Sequence, residues 1–184
     1  MKRLLLALFA LSLFYFGCSD LSTNTNPVKP QTSSKVAIKL PAKLSSSVEA
    51  VFSASNLIVG NKGGTVELHN SFASGMGLVT MDAELTVPVG AYNGAENITM
   101  QIGDDAGIDF SPSMIFNTPV ILNLKFTGVD LSGVDPNAIN FYYFAPDGST
   151  QLVKSDSIYI NVSTGTLQIF NAQLPHFSRY NWAK

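Results

Sequence analysis

From Val79 to Val87 the chain alternates apolar and polar residues without a break: Val79, Met81, Ala83, Leu85 and Val87 on one parity, Thr80, Asp82, Glu84 and Thr86 on the other. Successive side chains of an extended strand point to opposite faces, so this stretch has one face for a core and one for water. A helix would scatter the same residues around its whole circumference. The segment therefore reads as a strand lying on a core, and such a strand needs partners to bury its apolar face.

The partners are legible in the same way. Leu57-Ile58-Val59 and the alternating Thr65-Val66-Glu67-Leu68-His69 flank the turn Gly60-Asn61-Lys62-Gly63-Gly64. Ile98–Ile102, Phe110–Phe116 and Pro119–Phe126 follow, the last with Val120, Leu122, Leu124 and Phe126 on one face. Ile139–Phe144 runs into the turn Ala145-Pro146-Asp147-Gly148, and Leu152-Val153, Ser157–Val162 and Thr166–Phe170 complete the series, with Thr164-Gly165 as a hairpin turn. Asn70–Gly77 reads as a small, polar loop, and Val36, Ile38 and Leu40 before Pro41 read as a first, edge strand. Ser46-Ser47-Val48-Glu49 has the spacing of a helix capping box. Val48, Val51 and Phe52 also suit a strand, which is preferred because no other stretch is helical in pattern. About ten short strands with turn signals every 8 to 12 residues define an all-β chain, an antiparallel sandwich or barrel.

Composition narrows the function classes. Hydrophobic residues make up 46% of the 184 residues and charged ones 13%, which suits strands better than charged amphipathic helices. Cys18 is the single cysteine, so the chain forms no internal disulfide and no cysteine metal site, and no cofactor is expected. Without Lys2 and Arg3 the basic side chains fall from 11 to nine against 13 acidic ones, and the lysines are scattered. Nucleic acid needs clustered positive charge, so it is not an expected partner.

Met1-Lys2-Arg3 begins a leader whose apolar run, Leu4 to Phe16, ends at Gly17-Cys18. Its 13 residues fall short of the roughly 20 needed to span a bilayer, so an export signal is expected. The small residue before a lone cysteine resembles the lipobox of bacterial lipoproteins, with Tyr15 and Phe16 departing from the usual aliphatic and small residues. The resemblance implies that residues 1–18 are a lipoprotein signal peptide, with lipidated Cys18 as the mature N-terminus and the membrane of the cell envelope, outer membrane or cell surface, as a partner. Acyl chains contribute about 0.8 kcal/mol per buried methylene, and two or more hold a protein permanently. Residues 19–35 are polar, lack aromatics and contain two prolines, as a flexible tether does, and a single domain is expected over 36–184.

The set Gly63-Gly64-Thr65-Val66, Leu85-Thr86-Val87-Pro88-Val89-Gly90-Ala91, Phe110-Ser111-Pro112-Ser113-Met114-Ile115-Phe116 and His176-Phe177-Ser178 with Tyr180 resembles the ZU-five domain. That module is known from zonula occludens proteins, netrin receptors and ankyrins, and the resemblance covers about residues 56 to 182. It implies a β-sandwich serving as an interaction or structural module for a protein partner that the sequence does not identify.

His176-Phe177-Ser178 is the one run with candidate chemistry. Some family members that carry these residues resemble self-cleaving proteins. The implied step is attack of the Ser178 hydroxyl on the Phe177 carbonyl with His176 as base, followed by hydrolysis of the ester. The bland reading has His176 and Ser178 satisfying backbone groups while Phe177 packs in the core, and it carries more weight because only a short tail follows the bond. In Phe141-Tyr142-Tyr143-Phe144 alternate rings face opposite sides, so one pair could form a platform for sugar rings, making the chain a carbohydrate-binding surface protein. Asp104, Asp105 and Asp109 form an acidic turn that reads as solvated rather than as a metal site, and His69 reads as a surface histidine. No motif of a conventional hydrolase, nucleotide-binding or dinucleotide-binding enzyme occurs, so an enzyme acting on an external substrate is not expected.

Overall fold

The computed structural model describes residues 35–44 and 51–184. The leader, Cys18, most of the tether and the Ser46–Glu49 capping box lie outside the described residues. Eleven strands follow in order: β1 (Phe52–Val59), β2 (Gly64–Ser74), β3 (Gly77–Val87), β4 (Ala95–Ile102), β5 (Gly107–Ser111), β6 (Ile115–Thr127), β7 (Asn140–Phe144), β8 (Thr150–Leu152), β9 (Ser157–Asn161), β10 (Thr166–His176) and β11 (Arg179–Ala183). A 3-10 turn, Pro136–Ala138, precedes β7.

The strands form an antiparallel β-sandwich. One sheet has six strands in the order β1-β4-β5-β11-β7-β8, the other five in the order β2-β3-β6-β10-β9. Four hairpins, β2–β3, β4–β5, β7–β8 and β9–β10, pair strands adjacent in sequence. The connections between them carry the chain from one sheet to the other, with β6 and β11 each placed at the interior of a sheet. The alternation in β3 holds: Val79, Met81 and Leu85 are fully buried while Asp82 and Glu84 are exposed. β6 buries Val120, Leu122, Leu124 and Phe126, and Pro119 is tolerated there because it lies beyond the last β3 pairing, Thr86 with Ile121, and beside a register shift in β10.

Three expectations change. Asn70–Ser74 belongs to β2 rather than to a loop, because its backbone pairs with β3 in unbroken register out to Ser74 with Gly77. Hydrogen bonds along a hairpin outweigh the weak strand preference of Asn and Ser. The apolar reach from Phe110 to Phe116 is divided at Pro112, where the chain leaves one sheet for the other. The Val36–Leu40 segment is not an edge. The Val36 and Ile38 amides donate to the Lys184 and Trp182 carbonyls at 3.0 and 2.9 Å, and on the other side the Ala106 amide donates to the Ile38 carbonyl at 2.7 Å. The segment thus continues the line of β5 past its end.

The last sheet crossing is held by a tyrosine corner. Tyr180 Oη donates to the His176 carbonyl at 2.7 Å, four residues back and across the bend between β10 and β11. Beneath the bend, Tyr180 and Trp182 are almost wholly buried, and Trp182 packs on Phe141 with ring centroids 5.4 Å apart. Trp182 Nε1 has no hydrogen-bond partner among the described residues, a cost that burial of the ring outweighs. Trp182→Ala should therefore destabilise the domain by about 3–5 kcal/mol, and Tyr180→Phe, which keeps the ring and deletes the corner hydrogen bond, by about 1 kcal/mol. Urea unfolding of the two variants checks both.

Candidate functional site

Two regions gather the sequence candidates, and they lie on opposite sides of the same bend. At the end of β10, His176 is half-buried; its ring meets the edge of Tyr143 at 4.5 Å, and its Nδ1 lies 3.3 Å from Tyr180 Oη. With Lys154, Gln173 and Pro175 these groups line a small cavity of about 150 Å³. Phe177 turns into the core, stacked on Phe110 at 4.9 Å and edge-on to Phe116 at 4.7 Å. Its amide donates to the Met114 carbonyl at 2.8 Å, and the Ser178 carbonyl accepts from Phe110 at 3.1 Å.

Ser178 opens instead onto the outer face of the six-stranded sheet. Residues two apart in a straight strand share a face, but the bend at Phe177 breaks that rule and sends His176 and Ser178 to different cavities. Among the described residues no hydrogen bond joins His176 to the Ser178 hydroxyl; the imidazole is engaged with Tyr180. Intact-mass measurement of the purified chain should give one species identical in cleavage state to the Ser178→Ala variant. A separate fragment beginning at Ser178 would show the opposite.

On that outer face two rows of side chains run across three strands. Arg179 of β11 stands between Phe144 of β7 and Asp109 of β5, and Asn181 stands between Tyr142 and Gly107 in the next outward-facing row. The guanidinium grips Asp109 through Nε at 2.8 Å and Nη2 at 3.3 Å. Lys39 meets Asp105 Oδ1 at 2.5 Å, a charge contact rather than a directed hydrogen bond. Tyr142 is largely covered, with Lys35 Nζ 5.1 Å from the centre of its ring, while Phe144 stays half-buried at the groove wall. The aromatic run therefore divides as alternation demands: Phe141 and Tyr143 pack against the Tyr180 ring, Tyr142 and Phe144 lie outside. Phe144, Arg179, Asn181, Asp109 and Lys39 line a groove of about 860 Å³.

The acidic turn spends two of its three carboxylates on the cations of Lys39 and Arg179. No group of three or more metal-ligating side chains occurs among the described residues, and no helix among them is long and apolar enough to cross a membrane. Sequence reasoning singled out Asp105 and Asp109 without Arg179 or Asn181, because cross-strand neighbours some 70 positions apart leave no signal along the chain.

His69 sits on the outer face of the other sheet, opposite Asp82 in register, with Nδ1 2.9 Å from the carboxylate and Glu67 3.8 Å away. The Asp82 hydrogen bond, aided by both negative charges, raises its pKa above the ordinary 6.5. A raised folded-state pKa means that the pairing contributes fully below the ordinary histidine value and fades as pH rises through the elevated one. NMR titration should place His69 above 6.5, and Asp82→Asn should bring it down.

The fold and the groove define an all-β, antiparallel sandwich with a concave site of mixed polar and apolar lining on one outer face. Comparison with protein-family models, curated proteins and solved structures finds no match to the chain.

Proposed function

We propose that this chain is an exported lipoprotein, anchored to a cell-envelope membrane through Cys18 and presenting a ZU-five-like β-sandwich as an interaction module. The observation that carries the reading is the leader: a basic start, 13 apolar residues, then Gly17 and the chain's one cysteine. A free thiol has no partner cysteine here to pair with, whereas thioether acylation at that position would use it. The polar stretch over residues 19–35 supports the same reading, since a tether of this composition spans roughly 20–25 Å and holds a domain clear of lipid headgroups.

The sandwich suits display. Its aromatic interior packs without an internal disulfide, since the chain has one cysteine. Resemblance to the ZU-five domain supports an interaction or structural role over catalysis. Cells fed a labelled fatty acid should incorporate it into the wild-type chain and not into Cys18→Ser, which should also leave the membrane fraction. Equal partitioning of both forms without label would reject the anchor.

A further inference from the structure

We propose that the groove on the outer face of the six-stranded sheet is a binding site for a neutral saccharide. This deepens the reading of the domain as an interaction module and rests on it. Three features of the groove converge on that ligand chemistry.

The first is Asn181. It is only 3% exposed, it lines the groove, and its amide has no hydrogen-bond partner among the described residues. A side-chain amide with no partner in the protein is free to hydrogen-bond a ligand. Gly107 directly opposite makes the room: a Cβ there would come within 1.6 Å of Asn181 Oδ1. The strand pairing thus keeps a donor–acceptor group at the floor of the groove, ready to donate and accept at once.

The second is the balance of charge. Arg179 is paired with Asp109, and Lys39 with Asp105, so two ion pairs line the groove, while the third cation there, Lys35, lies over the Tyr142 ring. An anion would meet the carboxylates, and a cation the guanidinium and ammonium groups. A neutral ligand whose groups both donate and accept satisfies all four, together with the Ser178 hydroxyl. Hydroxyl groups do this.

The third is Phe144 beside Pro146, an apolar wall next to the polar floor. The C–H face of a pyranose ring packs on such a surface while its equatorial hydroxyls point to the polar groups. A peptide added as a strand does not fit, because β11 is already hydrogen-bonded to β5 on one side and β7 on the other.

The test is native gel electrophoresis of the full chain in a polyoxyethylene detergent, with starch, laminarin, xylan, mannan or mixed-linkage β-glucan cast into the gel. At least one of these neutral polysaccharides should retard the wild-type protein, and the corresponding free oligosaccharide should relieve it. Phe144→Ala should weaken retardation about tenfold, as loss of one stacked ring implies. Asp109→Asn and Asn181→Leu, which keep side-chain shape, should weaken it as well while melting close to wild type. If Phe144→Ala does not fold, these two variants decide. No retardation by any of the five polysaccharides overturns the proposal, as does retardation unchanged in the folded variants, or binding confined to a salt-sensitive heparin gel. A wild-type chain that takes up no acyl label and partitions as Cys18→Ser does, yet keeps polysaccharide binding, would reject the anchor and leave this site standing.

Discussion

The seating of β11 is the interaction on which the rest of the architecture depends. The strand is hydrogen-bonded on both sides, to β5 and to β7, so it joins the two halves of the six-stranded sheet. Its alternate residues serve both faces. Tyr180 and Trp182 anchor the aromatic interior, and Arg179 and Asn181 build the floor of the outer groove. The Val36–Leu40 segment then closes against the end of the same strand through Trp182 and Lys184. The N-terminal and C-terminal parts of the domain are thereby pinned to one line of hydrogen bonds.

The bend before β11 decides how the His-Phe-Ser run behaves. Phe177 is held by Phe110 and Phe116, and the backbone on either side is held by Met114 and Phe110. The tyrosine corner adds a tie from Tyr180 back to His176. A chain that must turn from one sheet into the other in two residues uses a buried ring as the pivot, and the residues flanking the pivot end up facing different cavities. The chemistry that the sequence suggests requires His176 and Ser178 together; among the described residues no hydrogen bond joins them, and they line different cavities.

Much of the fold could be read from the residues, for a definite reason. The alternation in β3 and in the latter half of β6 named the buried positions, because the side-chain period of a strand is a local property of the backbone. Asn70–Ser74 reads as a loop by composition but pairs as strand, because propensity is a weak signal beside a hairpin ladder that continues to Gly77. The status of Val36–Leu40 as an interior rather than an edge segment was hidden too, since its neighbours are the last residues of the chain and the β4–β5 turn. For the candidate sites, the sequence pointed to Phe144, Asp105 and Asp109 one by one, and it carried no trace that Arg179 and Asn181 would stand among them.

The sequence alone determined the class of the fold, because periodicity and composition are written in neighbouring residues, and it places the single cysteine, Cys18, directly after an apolar run. The tertiary structure decided which strands became neighbours, which way His176 and Ser178 face, and that a groove exists at all. Each of these depends on register between strands far apart in the chain, and register is a property of the assembled sheets that no single segment contains.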